Sequence, residues 1–346
     1  MTSLARTLGF SIVVALASAT IARAAAPCQL QELGSLAMKM DDGVPTVDAE
    51  INGKPARMII ATAASGTDIF QQAAVEYGAT PLTSQCNSAF GVSAPVYFGL
   101  AKLKSFKIAG VAANDYEILV VRAGKYAATQ AQGYVGENFL RHWDMEFDFA
   151  HDKVRFFKPL NCVGDQVVYW GSAYSAAHIL DSPNRDITVQ VKLNGAPFRA
   201  TISTGSSAST VRREVADKLR VRVEPERAKS EAKAKGDSDE PAKFAVFDTF
   251  SFGDEIVKKA NLRVARFVIK SVITPVETRT NRDIIELPDM YLGTDFLRYH
   301  RIYVSRDQHM MYISFTGGPV FHHEQSEGSA PAPAAPPAKA IPGPAG

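Results

Sequence analysis

The sequence predicts an all-β protein made of two tandem lobes with short helices, and three observations predict it. First, "NGKPARMIIATAASGT" (Asn52–Thr67) lies over "NGAPFRATISTGSSAS" (Asn194–Ser209) at an offset of 142 residues, with seven identities in sixteen positions and no gap. Second, Tyr134, Gly136, Phe139, Leu140 and Arg141 match Tyr291, Gly293, Phe296, Leu297 and Arg298 at an offset of 157. The two motifs occur in the same order in each copy, as a tandem duplication requires. Third, the residues ahead of each first motif, "TVDAEI" and "ITVQVKL", alternate apolar and polar with the period of a half-buried strand.

In chain order, residues 1–24 read as a secretory signal. Arg6 gives a short positive region, Leu8 to Ala19 an apolar run too short to span a bilayer, and Ala22-Arg23-Ala24 a small-x-small cleavage pattern. Pro27 ahead of Cys28 argues against a lipid-modified cysteine. The expected product is exported, periplasmic or extracellular, with no membrane span in the mature chain. Lobe one is expected over residues 25–165 and lobe two over 166–322. In each, a strand, an Asn-Gly turn and a second strand run into a loop of small residues. Short helices are expected after those loops, at "QQAAVEYG" and "TVRREVADKLRV". Short strands are expected at "PVYFGL", "SFKIAG", "YEILVV", "KVRFF", "FAVFDTFSF", "RVARFVI", "RIYVS" and "HMMYISF". The second copy is 15 residues longer between its motifs, and the charged stretch Glu224–Lys243 accounts for the excess as a solvated insertion. Residues 323–346 are rich in Pro and Ala and read as a disordered tail.

Composition excludes several classes of function. The net charge is +2 over 346 residues, and without the signal it is near zero, with 36 basic and 36 acidic residues. That is no basis for nucleic-acid binding by bulk charge. The three cysteines form no CxxC pair and the seven histidines no HExxH spacing, so neither a metal nor another cofactor is expected.

A β hairpin, then Asp-Thr/Ser-Gly-Ala/Ser, and later two apolar residues before a Gly is the pattern of aspartic peptidases. The stretch Val44–Val320 resembles the retropepsin-like branch with both lobes fused in one chain, as in pepsin-like enzymes. The resemblance implies two β-barrel lobes, each giving one Asp to a shared dyad. One carboxylate would activate a water and the other act as acid. Here the carry-over fails at the chemistry. The Asp slots hold Ala61 and Ser203, and the first Gly slot holds Ala63 where the second keeps Gly205. A methyl takes no proton, and a Ser hydroxyl is a poor base. Thr62 and Thr204 remain to tie the loops together across the lobes. Ser65 and Ser207, with Gly136 and Gly293 of the apolar-apolar-Gly elements Tyr134-Val135-Gly136 and Tyr291-Leu292-Gly293, complete the loop-supporting set. Asp68 reads as a residue that caps or flanks the following helix, and Asp295 as structural. Ser203 lacks a G-x-S-x-G elbow, and the sequence places neither His178 nor His300 beside it.

The resemblance therefore implies a pseudo-peptidase whose cleft could take an extended peptide or protein partner. The alternatives are an active endopeptidase using other acids, and a structural or partner-binding protein with a filled cleft. The segment Gln85–Phe98 is expected to fold above the paired loops. In a two-lobed fold Cys28 and Cys162 both lie near the junction of the lobes, so they are expected to pair and leave Cys86 over; three free thiols, or a pairing of Cys86, are the alternatives.

Overall fold

The computed structural model describes residues 27–83, 89–91, 97–171, 173–182, 186–225, 243–270 and 287–321. The segment read as a signal, the C-terminal tail, Cys86 and residues 226–242 of the charged insertion lie outside them. The described chain is mostly β, with four short α-helices at Gln71–Glu76, Glu137–Leu140, Arg213–Lys218 and Thr294–Leu297.

The two lobes repeat one plan. In lobe one Val44–Ile51 pairs with Lys54–Ile60, and in lobe two Thr188–Leu193 pairs with Ala196–Ile202. Asn52-Gly53 and Asn194-Gly195 make the turns with positive φ at both residues, the geometry that matches the twist of paired strands. Each Asn side chain also accepts a bond from the neighbouring hairpin, from Ser105 N and Thr249 N respectively, each at 3.1 Å. That hairpin is Tyr97–Ile108 with Val111–Val121 in lobe one and Lys243–Phe252 with Glu255–Ala265 in lobe two. The strands expected at "PVYFGL" and "SFKIAG" thus fuse into one.

After each small-residue loop comes a three-residue strand, Asp68–Phe70 or Thr210–Arg212, and then a short helix. The apolar-apolar-Gly elements form strands Gly133–Val135 and Met290–Leu292. These run parallel to Lys54–Ile60 and Ala196–Ile202, with Ile60 opposite Val135 and Ile202 opposite Leu292. These strands supply core residues Ile59, Ile60, Val135, Ile202 and Leu292, and the helix Thr294–Leu297 adds Phe296.

The lobes join through one antiparallel sheet of six strands. Its order is Gln29–Asp41, Lys153–Leu160, Asp144–Asp148, His300–Ser305, Met310–Phe315 and Ser175–Leu180. The lobe boundary falls between the third and fourth strands, where Phe147 faces Ile302. Glu146, fully buried there, lies 2.6 Å from Arg155 of its own lobe and 2.8 Å from Arg301 of the other. Two cations of opposite lobes thus share one carboxylate, which offsets much of the cost of burying it.

Cys28 and Cys162 form a disulfide with a Cα–Cα distance of 4.4 Å and a sequence separation of 134. It ties the first strand of the sheet to the end of the second. In the chain-entropy account a closure of that length stabilises by about 2–5 kcal/mol. Among the described residues no helix is long and apolar enough to cross a membrane.

Of the segment Gln85–Phe98, expected above the paired loops, Ala89–Gly91 and the residues from Tyr97 onward are described. Ala89–Gly91 pairs antiparallel with Val268–Lys270, so strands of the two lobes meet here as well.

Candidate functional site

The two small-residue loops meet at the lobe boundary. Each begins where a hairpin strand ends, and each is anchored to its own lobe in the same way. Ala61 N donates to Val135 O and Ser203 N to Leu292 O, both at 2.9 Å. Ala64 N closes on Ala61 O at 3.0 Å and Ser206 N on Ser203 O at 3.1 Å. The helices after the glycines then donate back: Glu137 N to Ala64 O at 2.7 Å, Thr294 N to Ser206 O at 2.8 Å.

Across the boundary Thr62 and Thr204 are tied reciprocally. Thr62 Oγ1 donates to Ile202 O and Thr204 Oγ1 to Ile60 O, both at 2.6 Å. Each hydroxyl also accepts from the other threonine's backbone N–H, at 3.1 and 3.2 Å. Both side chains are fully buried. Four bonds in a dry interface hold the loops in register, since breaking any one would strand a buried polar group.

Around this tie the remaining motif residues take distinct places. Gly205 faces Ala61 across the boundary: a Cβ at Gly205 would sit 3.1 Å from the Ala61 methyl and 2.7 Å from the Tyr126 hydroxyl. Ala63 is half-buried, while Ser65 and Ser207 are exposed. Ser65 O accepts from Asn138 N at 3.1 Å, and Ser207 packs against the Asp42-Gly43 turn of lobe one. Gly136 and Gly293 lie directly beneath the loop carbonyls of their own lobes.

The floor also contains Thr67, Asn138 and Ser209, which the motif reading did not pick out, and Asp295, which it read as structural. Thr67 Oγ1 donates to Asn138 Oδ1 at 2.8 Å and accepts from Gly136 N at 3.2 Å. Ser209 Oγ donates to Asp295 Oδ1 at 2.6 Å and accepts from Gly293 N at 2.8 Å. The duplication itself carried the signal, since Thr67 and Ser209 stand at the 142 offset and Asn138 and Asp295 at the 157 offset. Burial pushes the Asp295 carboxyl up to about 6, against the pull of its bonds from Ser209. Tyr126 gave no sequence signal, because its partner is a backbone carbonyl. Its hydroxyl crosses the boundary to Gly205 O at 2.8 Å.

Asp68 does not cap the helix. It begins the strand Asp68–Phe70, and the N-cap position falls to Phe70 without a side-chain cap. The carboxyl turns instead to the floor strand, where the Tyr134 hydroxyl donates to Oδ2 at 2.5 Å. Asp68 is 2% exposed, and its Oδ1 has no hydrogen-bond partner among the described residues. Burial is the main cause that lifts its pKa from 3.8 to about 7; the Tyr134 bond works against it. The folded state therefore favours the protonated acid. That contribution to stability is complete below the unfolded value and is lost as pH rises toward 7. The melting temperature is expected to fall between pH 4.5 and 7.5, and Asp68→Asn, which keeps an acceptor for Tyr134, to make that fall shallower. Parallel pH profiles for the two proteins would refute the assignment.

No carboxylate stands at position 61 or 203, and the acids near the loops are engaged elsewhere, Asp68 with Tyr134 and Asp295 with Ser209. Nor, among the described residues, is a histidine base in place for Ser203. His300 is buried, with its ring nitrogens at Phe296 O (2.8 Å) and Glu255 Oε1 (2.9 Å). His178 lies on the outer strand Ser175–Leu180, exposed to solvent. Among the described residues no group of three His, Cys, Asp or Glu is placed to hold a metal.

Two lobes with paired loops, reciprocal threonines and a glycine beneath each loop define an aspartic-peptidase-like architecture. Two segments, residues 47–139 and 189–296, match the aspartyl protease family, and the chain, more than half of it covered, belongs to that family in its tandem, two-lobed form. No curated protein matches the chain.

Proposed function

We propose that this is an exported aspartic-peptidase-like protein without peptidase activity, whose cleft between the lobes binds an extended peptide. The observation that carries the reading is the pair Ala61 and Ser203 at the two places where the family pattern puts its acids. The dyad mechanism needs two carboxyls sharing a proton. A methyl and a neutral hydroxyl supply neither base nor acid. The threonine tie and the glycines beneath the loops keep the scaffold whole, so loss of chemistry does not entail loss of the cleft. Residues 1–24 serve as the export signal in this reading, residues 25–165 and 166–322 as the lobes, and 323–346 as a tail outside the fold. A disulfide suits an oxidising compartment.

The test is direct. The mature chain, incubated with an unfolded protein substrate from pH 3 to pH 8, is expected to give no cleavage above a buffer control. Cleavage that pepstatin blocks would overturn the proposal and restore the active-enzyme alternative.

A further inference from the structure

The joining sheet has two faces, and the main apolar core uses only one. Phe147, Ile302, Met311 and Ile313 belong to that core, whereas Phe157 and Tyr303 belong to a small separate cluster on the other side. On this outer side the connection between the lobes lays down aromatic rings. Trp170 Nε1 donates to Ser314 Oγ at 2.9 Å, and the Tyr169 and Trp170 rings lie 5.7 Å apart. Tyr312 shares a strand face with Ser314, two residues away. Its ring meets that of Tyr174 edge-on at 5.5 Å. The Arg301 guanidinium sits over Tyr169 and Trp170, 5.3 and 4.6 Å from the ring centroids, and holds both on the sheet. Tyr169 is 51% exposed and Tyr174 38%, while Trp170 and Tyr312 between them are half-buried. The four rings form one row with exposed members at both ends, and a contiguous patch of this kind marks an interaction site more often than scattered apolar residues do.

The chain carries a segment that fits such a row. Residues 331–344 hold six prolines, separated chiefly by alanine. A polyproline II helix repeats every three residues, which puts Pro333, Pro336, Lys339 and Pro342 on one side. Its backbone is ordered before binding, and aromatic-lined surfaces recognise it for that reason. The place where the described chain ends also suits it. Phe321 packs on Phe296 at 5.4 Å, Phe296 stacks on His300 at 4.1 Å, and His300 pairs with Phe315, the last residue of the strand that carries Tyr312 and Ser314. The exit is therefore at the Trp170 end of the row. Residues 322–330 reach about 25–30 Å in an extended polyproline-like form, enough to bring the first proline onto the rings.

We propose that this outer aromatic row is the docking site of the chain's own proline-rich C-terminal segment, residues 331–344, bound as a polyproline II helix with its prolines against Tyr169, Trp170, Tyr312 and Tyr174. The docked segment lies across the connection between the lobes and holds it on the joining sheet. The site is on the opposite side of that sheet from the main core and does not depend on what the cleft binds.

The test uses the full mature chain and a full-length variant with Pro331, Pro333, Pro336 and Pro337 replaced by serine. The chain has two tryptophans, so two indole N–H signals are followed by 15N–1H NMR and assigned with Trp170→Phe. Trp143, packed on Phe139 and Phe156, is the internal reference. The Trp170 signal is expected to differ between the two chains and the Trp143 signal to coincide. A synthetic peptide of residues 329–344, added to the serine variant, is expected to return the Trp170 signal to its position in the unmodified chain. Tyr174→Ala in that variant is expected to weaken the peptide roughly tenfold, the cost of truncating an aromatic anchor. An identical Trp170 signal in the two chains, a titration that leaves it unmoved, or undiminished peptide affinity in Tyr174→Ala would overturn the proposal. So would a Trp170 difference that grows with protein concentration, which would give the row to the tail of a second copy.

Discussion

Replacing Gly136 by alanine is expected to destabilise the protein by about 3 kcal/mol or more, among the largest costs of any single methyl. The reason is close approach rather than backbone angle, since φ at Gly136 is −109°, open to any residue. A Cβ there would overlap the Gly66 carbonyl and stand 2.5 Å from that of Ala64. Both are backbone atoms of the floor loop and cannot rotate away as a side chain would. The loop would have to lift, breaking the bonds from Glu137 N to Ala64 O and from Asn138 N to Ser65 O. Gly34 is a control on a strand of the joining sheet. Its added Cβ would meet only Ala109 O, at 3.6 Å, so Gly34→Ala should stay within about 1 kcal/mol of the parent. Urea unfolding midpoints compare the two, and equal shifts would refute the close-approach argument.

Thr204→Val is the second large effect, expected to cost about 2–5 kcal/mol. Valine keeps the shape and removes the hydroxyl. Ile60 O then loses its donor and Thr62 N its acceptor, each buried and each penalised by about 1–3 kcal/mol. Thr62→Val should behave alike, through Ile202 O and Thr204 N. The double variant discriminates this account from two unrelated packing defects. The two side chains belong to one network, so their costs should fall short of additive. Full additivity in denaturant unfolding would mean that the threonines act separately.

Much of this was legible from the chain because the duplication writes each element twice. Asn52-Gly53 and Asn194-Gly195 announce hairpins that form, and Thr62 and Thr204 stand out because only one loop position in three is kept. The disulfide was legible as well, once two lobes were assumed. Other features left little trace. The strand Gln29–Asp41 lies on the joining sheet with most of its side chains exposed or half-exposed, so its sequence need not alternate; backbone pairing to Lys153–Leu160 holds it. The same holds for Ser175–Leu180, which pairs with Met310–Phe315 and buries none of its six residues fully. Asp68 misled for a different reason. An acid just ahead of a helix ordinarily satisfies its N–H groups, but here two strand residues intervene, and a tyrosine from a distant strand claims the carboxyl. Tyr126 could not be anticipated at all, because a carbonyl acceptor has no side-chain signature.

The first strand of the joining sheet sets a timetable for synthesis. Gln29–Asp41 leaves the ribosome early, yet one of its two partners, Lys153–Leu160, and the thiol that Cys28 needs lie more than a hundred residues downstream. Until those arrive, a thirteen-residue strand has an unfilled edge, and such edges recruit other chains. Lobe one can thus close only after nearly all of it has been made. A chaperone that shields the nascent amino-terminal segment until Lys153–Leu160 has emerged would keep that edge from recruiting other chains.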